Sequence, residues 1–215
     1  MMNRKILLIG GGGHCKSVLD SLLLLDQDID IGIIDKKEKI GEIILRIPVI
    51  GCDDDLIELY HQGYTEAFVT LGSIGNPQNR IRLFNLIEKI GFNIPNIIDP
   101  SATISKHVKL KKGIFIGKNS VINIGSFIGN GAIINTSSTI EHDCSIGDFV
   151  HIAPGSVLCG EVKVGDYTHI GAGSVIKQQA RIGTNTIIGM GGVVLHDISD
   201  NVVAFGNPCE EASQR

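Results

Sequence analysis

Glu141-His142-Asp143 sets an imidazole between two carboxylates, and two further histidines, His151 and His169, follow His142 at 9 and 27 residues. A neutral imidazole can accept the proton that an amine or hydroxyl must lose as it attacks an acyl group. A neighbouring carboxylate orients the ring and stabilises the imidazolium. The spacing leaves open whether Glu141 or Asp143 plays that part. A second feature lies near the start, where Gly10-Gly11-Gly12-Gly13-His14 follows the apolar run of residues 5–9. A bare turn between strand and helix lets backbone N–H groups approach a phosphate at the helix N-terminus. The run is an incomplete dinucleotide fingerprint, because Cys15 stands where the third glycine would be. A tight turn with close helix–strand packing would use the same residues.

The elements that hold the histidines are set by a six-residue register. An aliphatic residue recurs at every sixth position from Ile98 to Val194, 17 times without a break. Glycine often follows it, as at Gly117, Gly129, Gly147, Gly165, Gly171, Gly183 and Gly189, and a small residue usually stands four places on. Such a period predicts a prism. Each hexapeptide supplies one short strand and one corner, and three of them close a coil of 18 residues. Aliphatic side chains fill the interior, and the following glycine is expected to adopt the backbone conformation that the corner demands. Successive coils then hydrogen-bond as parallel strands about 4.8 Å apart. Seventeen hexapeptides make a little under six coils. His142 and His151 are half a coil apart and fall on different faces, so they share a site only if neighbouring prisms each contribute one. A threefold assembly does this at every interface. His169 stacks on His151 one coil later.

Residues 1–95 read as a separate α/β domain and 96–215 as the prism with a C-terminal extension. Strands are expected at 5–9, 29–34, 48–50 and 67–70, and helices at 15–25, 53–61 and 77–90, with 91–100 as the connection. This alternation predicts a small Rossmann-like parallel sheet.

Composition narrows the function classes. A net charge of −4 among 215 residues offers no basic surface for nucleic acid. The five cysteines are scattered without a CxxC pair, which fits a reducing, cytoplasmic setting and argues against structural zinc. No apolar run approaches the roughly 18 residues that span a bilayer.

The opening LIGGGGH, the IIDKK at 33–37, the IEHDCSIGDFVHIAPG at 140–155 and the IIGMGGVVLHDISDNVVAFGNP at 187–208 carry a resemblance that covers nearly the whole chain. It resembles the sugar acetyltransferases that join a small Rossmann-like domain to a left-handed parallel β-helix. Among these are the nucleotide-amino-sugar N-acetyltransferases of surface glycan biosynthesis and the sialic acid O-acetyltransferases. The resemblance implies a homotrimer that uses acetyl-CoA and no metal, and a UDP-linked 4-amino-deoxy sugar as acceptor. It also implies His142 as general base and Asp143 as the acid that raises its basicity. His151, Ala172 and Met190 match positions along the cofactor, and Gly12, Gly13, His14, Asp35, Lys36 and Gly72 match positions that hold the nucleotide sugar. Lys36 is basic where relatives can carry an acid, and Gly11-Gly12 replaces more varied turn residues; both bear on the choice of sugar. Lys177 and Arg181 are candidate cations for the CoA phosphates. A sugar hydroxyl as acceptor, a zinc hydrolyase on a β-helix trimer, and a non-catalytic scaffold are the competing readings.

Overall fold

The computed structural model describes residues 4–26 and 28–215. By internal contacts the chain forms two compact units. One holds the residues through Gly72 together with Gln78–Ile97, and the other holds Ser73–Pro77 with Ile98–Arg215.

In the first unit β1 (Lys5–Ile9), β2 (Asp30–Ile34), β3 (Ile43–Ile44), β4 (Ile47–Gly51) and β5 (Glu66–Val69) form one sheet in the order β3-β4-β2-β1-β5. β1 lies between β2 and β5 and runs parallel to both. Its KILLI run is buried from Ile6 onward, as a central strand covered on both faces requires. Helices α1 (Gly13–Leu25), α2 (Leu56–His61) and α3 (Gln78–Ile90) complete the unit. Three details differ from expectation. α1 begins two residues early, so Gly12 is its N-cap and His14 lies in its first turn. The expected single helix at 53–61 is a 3-10 turn over Asp53–Asp55 followed by α2, with the Asp55 carboxylate accepting from Cys52 N–H to cap the start of the turn. The short strand β3 pairs antiparallel with β4 and had no periodic signal.

In the second unit, among the described residues, 17 two-residue strands run from β6 (Ile97–Ile98) to β22 (Val193–Val194), one every six residues. They stack into three parallel sheets. Face I begins with Thr103–Ile104 and face II with Lys109–Leu110, while face III begins with β6. Each strand pairs with the one 18 residues on, as Thr139–Ile140 does with Val157–Leu158. The second residue of each pair fills the interior: Ile122, Ile128, Ile134, Ile140, Ile146 and Ile152 are at most 1% exposed. The small residue four places on also points inward, and its hydroxyl binds a corner carbonyl of the next coil. Ser126 Oγ donates to Glu141 O at 2.8 Å, and Ser156 Oγ to Gly171 O at 2.9 Å.

The corner glycines correct the sequence-based reason for their presence. The left-handed residue is the third after the aliphatic one, and it is often not glycine, as at Asn119, Asp143, Phe149, Glu161 and Tyr167. Glycine directly after the aliphatic residue is needed for close approach between coils. A Cβ on Gly129 would stand 2.7 Å from Asp148 N, and one on Gly165 would stand 2.6 Å from Thr184 N. Real Cβ contacts are never that short, so any side chain there would push the coils apart.

The C-terminal extension is structured. β23 (Val202–Gly206) adds to face III beside Ile187–Ile188, and β24 (Cys209–Gln214) turns back antiparallel on β23. Its Cys209 is buried and packs onto the end of the core.

Candidate active site

His142 and Asp143 follow the strand Thr139–Ile140 at the corner from face I to face II. Asp143 takes a left-handed backbone (φ 59), which turns its carboxylate toward the ring of its neighbour. His142 Nδ1–H donates to Asp143 Oδ2 at 2.9 Å. Glu141 points elsewhere, accepting from Asn123 Nδ2 at 3.0 Å one coil below. The choice left open by spacing is therefore resolved geometrically in favour of Asp143. The Asp143 hydrogen bond raises the pKa of His142 above the ordinary imidazole value; desolvation opposes it, and the charges of Asp143, Glu141 and Glu161 add to the rise. Both side chains are open to solvent, at 44% and 62% exposure.

Two glycines make room for this pair, and neither was singled out from the sequence. A Cβ on Gly160, one coil above His142, would stand 2.6 Å from its Cε1, and a Cβ on Gly125, one coil below Asp143, would collide with the carboxylate. Adding and subtracting 18 from 142 and 143 points to both positions, but their role depends on where the side chains lie.

His151 opens a strand of face III and is 8% exposed. Its Nδ1–H donates to Ser73 O at 2.9 Å, and its Nε2 lies 3.3 Å from Asn135 Nδ2. An amide donor on Nε2 and a carbonyl on Nδ1 together favour one neutral tautomer. His169 lies one coil further on in register, its ring edge to face with that of His151 and the centroids 4.8 Å apart. Burial, with a smaller effect of Arg215, pushes His169 down to about 4, so it is uncharged at neutral pH. His142 and His151 lie on different faces and do not meet within one chain. Ala172 and Met190 sit at the corner from face III to face I, one coil apart, and Gly191 N–H donates to Ala172 O at 2.8 Å. Beside them Gly155, Gly173 and Gly191 stack at 18-residue steps, and a Cβ on any of the three would meet nothing within 4 Å. That corner carries no side chain at these three positions, each in the left-handed backbone region, and Met190 is exposed beside them. Arg181 shares a depression of 600 Å³ on face II with Lys163, and Lys177 directly follows the face I strand Val175–Ile176.

In the α/β unit, Gly11 N–H donates to Asp35 Oδ2 at 2.8 Å, Lys36 N–H donates to Oδ1 at 2.8 Å, and Lys39 Nζ binds Oδ2 at 3.0 Å. Desolvation would raise the Asp35 pKa, but these three partners outweigh it and hold the carboxyl below its ordinary range. His14 is pushed down to about 4 by burial, with the Arg80 charge adding to the effect. Gly72 lies beside it, with a Cβ there 3.5 Å from His14 Cβ. Of the four turn glycines, Gly10 has φ 109 and Gly11 packs against Asp35 and Ile44, whereas a Cβ on Gly12 or Gly13 would enter open space. Asp35, Lys36, Gly10 and Ile9 line a crevice of 590 Å³ at the carboxyl ends of the strands, where open α/β sheets bind ligands.

Among the described residues, no group of three or more His, Cys, Asp or Glu side chains is placed to hold a metal ion, and no helix is long and apolar enough to cross a membrane.

Residues 5–87 match the PglD N-terminal domain, and 125–160 match the bacterial transferase hexapeptide (six repeats). A histidine-to-asparagine mutant of perosamine N-acetyltransferase from Caulobacter crescentus, solved with CoA and GDP-perosamine, is 35% identical over 100% of this chain and 99% of that one, with a TM-score of 0.91. The acetyltransferase domain of PglB from Neisseria gonorrhoeae, solved with acetyl coenzyme A, is 32% identical over 98% of this chain and 100% of that one, with a TM-score of 0.90. WeeI from Acinetobacter baumannii is 25% identical over 98% of this chain and 100% of that one, with a TM-score of 0.87. The α/β unit with its glycine turn, the hexapeptide prism and these full-length likenesses agree: the chain belongs to the nucleotide-sugar acetyltransferase family.

Proposed function

We propose that this protein transfers the acetyl group of acetyl-CoA to the amine of a nucleotide-linked amino sugar, with His142 as general base and Asp143 as its orienting acid. The observation that carries this reading is the His142 Nδ1–Asp143 Oδ2 hydrogen bond, which leaves Nε2 with its lone pair free for a substrate proton. As the sugar nitrogen bonds to the thioester carbon, Nε2 takes up a proton from that nitrogen. The C–S bond then breaks, CoA leaves as the thiolate, and a proton returns to sulfur. Asp143 stabilises the imidazolium formed between these events. Glu141, Asp143 and Glu161 make the surroundings negative, which favours an amine acceptor over a hydroxyl; its ammonium form first releases one proton to solvent, and the neutral amine then attacks. The relatives solved with CoA, acetyl coenzyme A or GDP-perosamine point the same way.

Gly12 and Gly13 carry no side chain although nothing in the protein fills the space. That fits a turn kept bare for a diphosphate at the start of α1, with His14, Asp35, Lys36 and Gly72 around the rest of the nucleotide sugar. The bare corner along Gly155, Ala172, Gly173, Met190 and Gly191 suits the extended arm of CoA, with His151 as a neutral imidazole on the adjoining face. This corner and the His142 corner flank face I on opposite edges. The outward column of face I is Thr103, Val121, Thr139, Val157, Val175 and Val193, a β-branched strip suited to pairing with copies of itself. Three prisms packed with face I toward a common axis would set each His142 against the next chain's bare corner, so a homotrimer completes the site. We take 1–95 as the nucleotide-sugar domain and 96–215 as the acyltransferase domain, with Ser73–Pro77 grouping by contacts with the latter. We place the enzyme in the cytoplasm and in surface glycan biosynthesis, in keeping with five free cysteines. The test is an acceptor screen with acetyl-CoA, read by thiol release and product mass. An acetylated product that mild alkali deacetylates, marking an O-acetyl ester, or thiol release that no nucleotide amino sugar stimulates, would overturn the reading. Light scattering should give a trimer; a fully active monomer would remove the shared site.

A further inference from the structure

We propose that the crevice of the α/β unit reads a guanine base, with the Asp54 carboxylate accepting from its N1–H and its 2-amino group. This rests on the nucleotide-sugar reading above and names the base that the acceptor carries. The sequence-based expectation was a uridine nucleotide, and the crevice favours guanosine.

The crevice is 590 Å³ in volume and lies where β1, β2 and β4 end. A nucleotide whose diphosphate meets the turn after β1 runs past Asp35 at the end of β2 toward the residues after β4. Its base then reaches the wall formed by Cys52, Asp53, Asp54 and the start of α3. Leu71, half-buried in the crevice wall, offers apolar surface for a base face. Specificity must come from the polar groups that remain unengaged.

Three carboxylates line the crevice, and two are engaged. Asp35 holds Gly11 N–H, Lys36 N–H and Lys39 Nζ, and Asp53 binds Arg82 Nη2 at 2.9 Å. Asp54 is exposed and has no hydrogen bond or ion pair among the described residues. The Asn79 amide on the α3 side of the same wall is likewise unengaged. An ionised carboxylate only accepts. Guanine alone among the common bases presents two adjacent donors on its pairing edge, N1–H and the 2-amino group. A carboxylate accepts from both in parallel, the strong charge-assisted arrangement, and Asn79 can donate to O6. Uracil offers a single N3–H between two carbonyl oxygens, each of which a carboxylate repels. Cytosine and adenine offer one amino group beside a bare ring nitrogen.

The full-length protein titrated calorimetrically with GDP, IDP and UDP tests this directly. GDP should bind at least tenfold more tightly than UDP, and IDP, which lacks the 2-amino group, should fall between them. Asp54→Asn should weaken GDP by about 10- to 100-fold, the usual discrimination of a bidentate pair. It should leave UDP within twofold and close the gap between GDP and IDP. Because Asp54 is exposed and unpaired, the variant's unfolding temperature should match wild type. A wild-type preference for UDP overturns the guanine assignment and leaves the nucleotide-sugar reading standing. Asp54→Asn weakening GDP and UDP alike, or changing neither, overturns the role of Asp54. No affinity for any of the three nucleotides would overturn both the assignment and the reading beneath it.

Discussion

The glycines of the two units answer to different demands. In the prism, Gly129, Gly147, Gly165 and Gly171 lack a side chain because the backbone of the next coil occupies the space where it would go. In the α/β unit, Gly12 and Gly13 lack one although the space is open. A glycine forced by packing belongs to the scaffold, whereas a glycine facing empty space is explained by something that approaches from outside. Gly171 is of the first kind, its missing Cβ replaced by Met190 N, whereas Gly173 two residues on takes the left-handed corner backbone (φ 67) that itself favours glycine. The chemistry divides along the same line. The prism offers side chains on a stacked lattice that cannot shift, and the α/β unit offers bare backbone and a crevice.

The largest effect expected is on the prism side. His142→Ala should lower turnover by about 10²–10⁴-fold, the usual contribution of general acid–base catalysis. The KM for the nucleotide sugar and the affinity for acetyl-CoA should barely move, because the ring acts on a proton. A trimeric variant with near wild-type turnover would remove the base from the mechanism.

On the α/β side, Gly12→Ala and Gly13→Ala should do the reverse. Loss of backbone hydrogen bonds to a charged group should raise the KM for the nucleotide sugar by about 10- to 100-fold. The unfolding temperature should hold, since the added methyl meets no protein atom. Should both variants keep the wild-type KM, open space at a glycine would lose its meaning as a mark of ligand.

Asp143→Asn tests how the prism tunes its base. Its partner raises the pKa of His142, so the acid limb of the wild-type rate profile should lie above the ordinary imidazole value. The substitution should move that limb to lower pH and reduce the maximum by less than loss of the ring does. An unmoved limb would show that Asp143 only positions the ring.

Gly171→Ala is the stability counterpart of Gly12→Ala. Its Cβ would stand 2.5 Å from Met190 N, and overpacking of this kind costs about 1–3 kcal/mol. Thermal unfolding should register it, and an unchanged unfolding temperature would mean that the coils can separate freely.

A pH-dependent effect concerns two imidazoles whose pKa burial lowers, one in each unit. His14 and His169 both fall to about 4 in the folded protein, against roughly 6.5 unfolded. Between those values the unfolded chain binds more protons, so stability is intact above about pH 6.5 and declines as pH falls toward 4. Each histidine contributes about 2 kcal/mol to that loss by pH 5. Replacing His169 by Leu should flatten the decline; an unaltered slope would show that the ring gains a partner when protonated.

The amino-acid order by itself determined the prism. A six-residue register names every inward side chain, the 18-residue partner of each strand and the separation of His142 from His151. These follow from local repetition, because a coil can stack only on another of the same length. It also indicated the glycine turn and the alternation of the α/β unit, where long apolar runs leave few choices. The antiparallel β3 and the C-terminal pair of strands carry no period and were not legible. Nor was the reason for the corner glycines, since close approach between coils is a property of two backbones and not of one. Only the tertiary structure decided that Asp143 and not Glu141 meets His142. A left-handed φ turns one carboxylate inward to the ring, while Asn123, 18 residues earlier, holds the other away. Only the structure, too, placed Ser73 on His151 and left Asp54 the unengaged carboxylate of the crevice. Which polar group is satisfied depends on partners distant in sequence, and no local pattern records them.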